Sequence, residues 1–412
     1  MTLFYRLVAA ALLFTVAACS QTPSPETAVL APQAFGTPQN DEILDLASYS
    51  GGVYAVGNTG GSLYAANRGQ GDIFITKIGS DKRTVWSRQF GTPGFDYVSS
   101  VAVDAGGNVY VFGSVSGRLA RDLGGDSDFF LHKYSASGGV VWTLQFGLET
   151  GDNPFDLVAT SNSVYVVGSS DGKGLFLYRF NLSGSTWWKR QLRVPLDTLY
   201  LSGLTLDSAG NTYVAGSVQV ERDPVFETEG SDIRLYKFSG AGSSLWTKDY
   251  NFALSDSVSQ IVARSGSVFL NTTRFDRGDD ESYDVIVSVS GSGDLRWERY
   301  SGVYDSYDGV SSGSTRLMVD GAGVYVDTVN VVDPPDDGAV SRERALTKYR
   351  LDGSPAWERD WLPVGTPLAA AERGTGEVYV GGYTGSRFNP DVPSDASVEK
   401  LDAATGATVW SK

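Results

Sequence analysis

The sequence predicts an all-β fold, a seven-bladed β-propeller with four antiparallel strands per blade. Two markers predict it. A Val-Tyr-Val-like run ending in Gly or a small residue recurs with its aromatic at Tyr54, Tyr110, Tyr165, Tyr213, Phe269, Tyr325 and Tyr379, spaced 56, 55, 48, 56, 56 and 54 residues apart. A tryptophan closes each unit, at Trp86, Trp142, Trp188, Trp246, Trp297, Trp357 and Trp410. Both markers count seven, and their period exceeds the roughly 20–45 residues of most solenoid repeats. Composition agrees. With 49 Gly, 21 Tyr and 19 Phe in 412 residues, 41% of them hydrophobic, the chain suits short strands and tight turns.

Within a unit, apolar and polar residues alternate with period two, as half-buried strands require. The second unit gives the clearest register: strand a over 98–104, a turn at 105–107, strand b over 108–114, strand c over 128–134, a turn at 135–138 and strand d over 140–146. Four such strands per unit describe a propeller blade. The fixed aromatics should fill the wedge between blades, and the Gly after strand b should let the chain pass close to the next sheet. Strands that run alternately up and down place the a–b and c–d turns on one face and the b–c and d–a connections on the other. The a–b turns, such as Asp104–Asn108, pair an Asp with small residues and Gly. That is turn chemistry, and a calcium loop would need more carboxylates. Gln33-Ala34-Phe35-Gly36 is similar to the Gln-Phe-Gly ending that the last unit lacks, so the N-terminal segment is expected beside the C-terminal strand.

Particular residues also carry a family likeness. Asp104–Val111, Gly125–Tyr134, Ser137-Gly138 and Trp142–Gly147 resemble the bacterial β-propeller repeat known as SBBP, a likeness running from about residue 34 to 412. The last unit, Asp402–Trp410, is also similar to the repeat of quinoprotein-like propellers, without the vicinal Cys or clustered ligands of those enzymes. Such repeats imply architecture and are nearly silent about activity.

The N-terminus reads as an address. Arg6 precedes an apolar run from Leu7 to Ala18, too short to span a bilayer, and Val16-Ala17-Ala18-Cys19 resembles the bacterial lipobox. Residues 1–18 are expected to be a lipoprotein signal peptide and Cys19 the lipidated residue; an ordinary signal peptide is the alternative. Residues 19–33 are Ser/Thr/Pro-rich and form a tether whose reach is on the order of 40 Å. Residues 34–412 form the propeller. The expected location is the cell envelope, with the protein anchored by its lipid and monomeric.

The formal charge of −15 argues against binding nucleic acid through its phosphates. Much of the acid lies in three b–c connections. Residues 218–231 contain Glu221, Asp223, Phe226, Glu227 and Glu229; 274–283 contain Asp276, Asp279, Asp280, Glu281 and Tyr283; 329–343 contain Asp333, Asp336 and Asp337. Together they carry a net charge of −8. Variable loops on a rigid scaffold are where binding resides, and this patch would face a cation or a basic partner surface. Acidic loops that only keep the protein soluble are the alternative. A calcium ion would need several of these carboxylates to converge; no cofactor and no metal are expected.

One Cys and one His exclude zinc clusters and disulfides within the chain. His132 occupies a strand-c position filled elsewhere by Thr76, Tyr178, Tyr236, Ser288, Thr347 and Glu399, so no catalytic residue is assigned. Three functions remain: a non-catalytic scaffold or adaptor binding an envelope protein, a carbohydrate-binding propeller using loop aromatics, and a polysaccharide hydrolase or lyase using paired carboxylates.

Overall fold

The computed structural model describes residues 36–411 apart from 51, 123, 149–150, 172, 193–198, 224–227, 277–280, 306–309, 322, 333–340, 362–366, 374–376 and 385–394. Cys19, the tether and Gln33–Phe35 lie outside the described residues. Among the described residues every regular element is a β-strand, and no helix is long and apolar enough to cross a membrane. The strands form successive antiparallel meanders over 41–90, 96–146, 152–192, 199–250, 255–305, 310–361 and 367–411. In each, strands a to d pair in chain order. In the second they are Asp96–Val103, Val109–Val115, Asp128–Tyr134 and Val140–Phe146.

The sheets do not all stay separate. The first, second, third and seventh meanders are isolated four-stranded sheets, whereas the fourth to sixth join into one of twelve strands through single residue pairs, Ser231 with Ser255 and Asp305 with Val310. The first link is a position that other meanders also use, since Gly71 bridges Phe95 in the same way between the first and second. The second is made by the last residue of the long strand d of the fifth meander, Leu295–Asp305.

The two sequence markers touch. In every meander the strand-b aromatic packs on the strand-d tryptophan, with ring centroids 5.7–6.0 Å apart from Tyr54–Trp86 to Tyr379–Trp410. The tryptophan then reaches the next meander. Trp86 Nε1 donates to Ala136 O, Trp142 to Leu182 O, Trp297 to Leu351 O and Trp357 to Ala403 O, each at 3.1 Å. Trp410 donates at 2.9 Å to Ser80 O, the equivalent turn carbonyl of the first meander, across 330 residues. Ile43, Leu46, Val53 and Phe74 share one core cluster with Tyr379 and Val398, so the first and last meanders pack face to face. No strand is exchanged between them among the described residues.

Period two breaks in every strand a. Each holds a β-bulge, at Leu44, Ser99, Phe155, Ser202, Ser259, Thr315 and Leu368, where one residue drops out of register with strand b. The bulge bends strand a and turns the residue after it inward. This corrects the reading of the strand-b glycine. A Cβ on Gly113 would stand 2.1 Å from Tyr97 O in its own strand a and 2.5 Å from the Phe130 ring in its own strand c. The close approach at Gly57 and Gly113 is thus within the sheet, whereas at Gly168 an aromatic of the preceding meander, Phe129, also crowds the site.

Aspartates at strand starts hold the connections on the b–c and d–a face. Asp96 accepts from Thr92 N and Thr92 Oγ1, Asp152 from Leu148 N, and Asp256 from Phe252 N and Ala253 N. Gln89 of the first Gln-Phe-Gly bridges the b–c loop, accepting from Tyr64 N and Ala65 N and donating to Asp72, and Gln145 does the same with Leu119 N, Ala120 N and Asp128. Burial pushes the Asp96 and Asp152 carboxyls up to about 6, and the neighbouring Asp72 and Asp128 charges push the same way.

Two outcomes follow. Gly113→Ala should lower unfolding stability by about 1–3 kcal/mol through overpacking against backbone, measured by urea denaturation. Asp96 and Asp152 bind protons more tightly folded than unfolded, where an Asp titrates near 3.9. Their stabilising contribution is therefore complete below about pH 4 and is lost as pH rises through about 6. His132, whose imidazole burial pushes down to about 4, acts in the opposite direction over the same interval, so the test is a difference: the urea midpoint of Asp96→Asn minus that of the native chain should rise from pH 4 to about 6. A difference that stays flat or falls contradicts the assignment.

Candidate functional site

The innermost strand of each sheet is an edge whose outer N–H and C=O groups need partners. Residues just after the bulges supply some of them. Asp45, Ser100, Asp156, Gly203, Gln260, Arg316 and Ala369 share this register position. Asp45 Oδ2 accepts from Val101 N at 2.8 Å, Asp156 Oδ2 from Leu204 N at 2.9 Å, and Gln260 Oε1 from Leu317 N at 2.5 Å. Thus the first, third and fifth meanders each cap the strand a that follows. The Ser100 hydroxyl lies 3.0 Å from Asp45 Oδ2 and 3.3 Å from Asp156 Oδ1, between the two carboxylates. The pattern was visible as a slip in alternation: Val98-Ser-Ser-Val101, Leu201-Ser-Gly-Leu204 and Val258-Ser-Gln-Ile261 each set two residues between apolar ones.

Where the inner strands begin, two cavities open on the b–c and d–a face. One, of about 600 Å³, is bounded by Phe95, Tyr97, Ser99, Phe155, Asp156 and Gln260. The other, of about 530 Å³, lies over Gln219, Gly230, Ser231, Ser255 and Ser257. They share Ser202 and Ser259, both bulge residues. Phe95 is 55% exposed and Tyr97 36%. Among the described lining residues Asp156 is the only carboxylate, and none is Lys, Arg or His.

Two of the acidic b–c connections are flanked by paired strands that run well into them. Strand b of the fourth meander runs to Asp223 and strand c begins at Thr228, with Glu221 paired to Glu229. In the fifth, Asp276 pairs with Glu281, and Tyr283 lies half-buried inside strand c with its ring 5.7 Å from Tyr300. Tyr283 therefore belongs to the sheet surface and not to a loop tip. Sequence missed this because acidic residues are poor strand formers; cross-strand pairing in a long hairpin overrides them. Phe226, Glu227, Asp279, Asp280, Asp333, Asp336 and Asp337 lie outside the described residues. Among the described residues no group of three or more His, Cys, Asp or Glu could hold a metal ion.

His132 is a packing residue. It is 6% exposed, stacks on Tyr134 at 4.6 Å and meets Phe90 at 4.9 Å. Burial pushes its imidazole down to about 4, so it is neutral at pH 7. Its Nε2 lies 3.1 Å from Thr143 Oγ1. The a–b turns hold their aspartates fully occupied: Asp104 accepts from Gly106 N, Asn108 N and Nδ2, and the Tyr110 hydroxyl.

Comparison with known proteins agrees with this architecture. The chain is 25% identical over 274 residues to the regulatory protein FlaEY of Caulobacter vibrioides, covering 54% of this chain and 28% of that protein. It spans little more than a quarter of that relative's length. Among solved structures, an ulvan lyase from a new family of polysaccharide lyases superposes with a TM-score of 0.54 at 10% identity, over 92% of this chain and 98% of that one. A prolyl endopeptidase superposes with a TM-score of 0.53 at 13% identity, over 91% of this chain and 50% of that one. At such identities the likeness shows fold alone. The SBBP β-propeller repeat itself matches residues 85–117 and 188–217, each running from a strand-d tryptophan region into the next strand b, so this chain is an all-β protein carrying SBBP β-propeller repeats.

Proposed function

We propose that the chain is a lipid-anchored cell-envelope scaffold, a closed ring of seven blades that holds a protein partner on one rim and carries out no chemistry. The observation that carries this reading is the use of the channel carboxylates. A hydrolase or lyase at the channel mouth would call on Asp156 with Asp45. Both instead accept backbone N–H groups of neighbouring strands, Val101 N and Leu204 N, which supports a role in holding the sheets together and leaves the face suited to binding. Closure is supported by Trp410 making, toward Ser80, the contact that Trp86 makes toward Ala136. Anchoring is supported by Val16-Ala17-Ala18-Cys19. A basic partner surface is supported by the net charge of −8 on the three b–c hairpins.

Two experiments test this. Crosslinking in intact envelopes followed by pull-down should recover a protein partner with the native chain and lose it with Glu221→Lys, Asp223→Lys and Glu229→Lys combined. Equal recovery from both would move the interface elsewhere. Labelling cells with an alkyne fatty acid should mark the native chain and leave Cys19→Ala unmarked; labelling of the variant would refute the anchor.

A further inference from the structure

We propose that the two joined cavities form a groove that binds a neutral glycan chain, at the base of the fourth meander's acidic hairpin and without use of its charged residues. Much of the polar lining of the groove presents acceptors, beside amide donors at Gln219 and Gln260. At three bulges a serine has already spent its one proton on backbone: Ser99 Oγ donates to Phe112 O and Ser259 Oγ to Asn271 O, each at 3.3 Å, and Ser202 Oγ donates to Val258 O. A hydroxyl has one donor and two lone pairs, so what these serines offer a ligand is lone pairs. Ser127 is committed in the same way, to Asp152 O. Such a surface selects a ligand rich in O–H donors.

Charge narrows the class. A carboxylate, sulfate or phosphate brings only acceptors, and no Lys or Arg stands among the described lining residues to meet it. A cationic ligand would look for carboxylate, and the one present, Asp156, is held by Leu157 N and Leu204 N. A neutral polyol remains.

The aromatics decide between a small polyol and a sugar ring. Phe95 and Tyr97 are exposed at the start of the second strand a, beside the serines. An aromatic face carries partial negative charge and meets the C–H face of a pyranose, as it meets the positive edge of another ring. Cavities of about 600 and 530 Å³ each fall in the usual range for small-ligand sites. Continuity through Ser202 and Ser259 extends the groove from the second meander to the fifth, which suits a chain of rings better than one.

Affinity electrophoresis of the full chain in mild detergent, through gels holding dextran, galactomannan, β-1,3-glucan or alginate, tests this. At least one neutral polysaccharide should retard the chain, and the anionic alginate should not. Tyr97→Ala and Phe95→Ala should each weaken the retarding interaction about tenfold or more, while Tyr97→Phe should hold it within about twofold and so separate loss of stacking from loss of fold. The hairpin variant with Glu221, Asp223 and Glu229 reversed should bind the glycan unchanged. Absence of retardation by all three neutral polymers, equal retardation by alginate, native binding by Tyr97→Ala, or loss of binding in the hairpin variant would each overturn the proposal.

Discussion

The molecule rests on one contact, the strand-d tryptophan held between its own sheet and the next turn. Twisted sheets packed face to face leave a widening gap toward the perimeter, and a large flat side chain fills it. In the second meander Tyr110, Lys133 and Trp142 lie in one row across strands b, c and d. Lys133 Nζ sits 5.2 Å over the Tyr110 ring and donates at 2.8 Å to Leu182 O, the carbonyl that Trp142 also meets. Apolar area, a cation–π contact and two hydrogen bonds thus act at one seam. The third meander substitutes Arg179, 5.2 Å over Tyr165, which donates at 2.6 Å to Gly240 O. Six meanders place Lys or Arg at this position, and the fifth places Ser288 there, between Phe269 and Trp297.

The inner end of the sheets answers a different demand. Edge backbone must be paired, and polar side chains from the preceding meander, Asp45, Asp156 and Gln260, do it. Asp45 and Asp156 thus each accept a backbone N–H while flanking the Ser100 hydroxyl. The bulges that turn these residues inward also set Ser99, Ser202 and Ser259 at the cavity edge. Architecture and candidate site come from the same irregularity.

Much of this was legible in the residues. The repeat count and the strands of the second unit follow from aromatic spacing and period two, because burial on sheet faces forces both. Three of the seven bulges were written in the sequence as two small or polar residues between apolar ones, at 98–101, 201–204 and 258–261, and an assumption of unbroken alternation passes over them. The strand-b glycine was correctly marked as a place of close approach and assigned to the wrong neighbour, since sequence shows that a side chain is missing and not what occupies its space. The hairpins over 218–231 and 274–283 were read as loops because composition weighs each residue alone, whereas Glu221 opposite Glu229 and Asp276 opposite Glu281 are held by backbone pairing. The cavities were beyond reach: they join residues from the second to the fifth meander.

One turn departs from its equivalents. Where the second meander has Gly138 at φ 82, lying against Trp86, the first has Lys82 at φ 60, a lysine in left-handed backbone. That turn is the one on which Trp410 lands, whereas the equivalent position of the other six turns is Gly138, Gly184, Gly242, Gly293, Gly353 or Gly406, each with positive φ. The seam between the last meander and the first therefore carries a conformational cost that a glycine spares the other six.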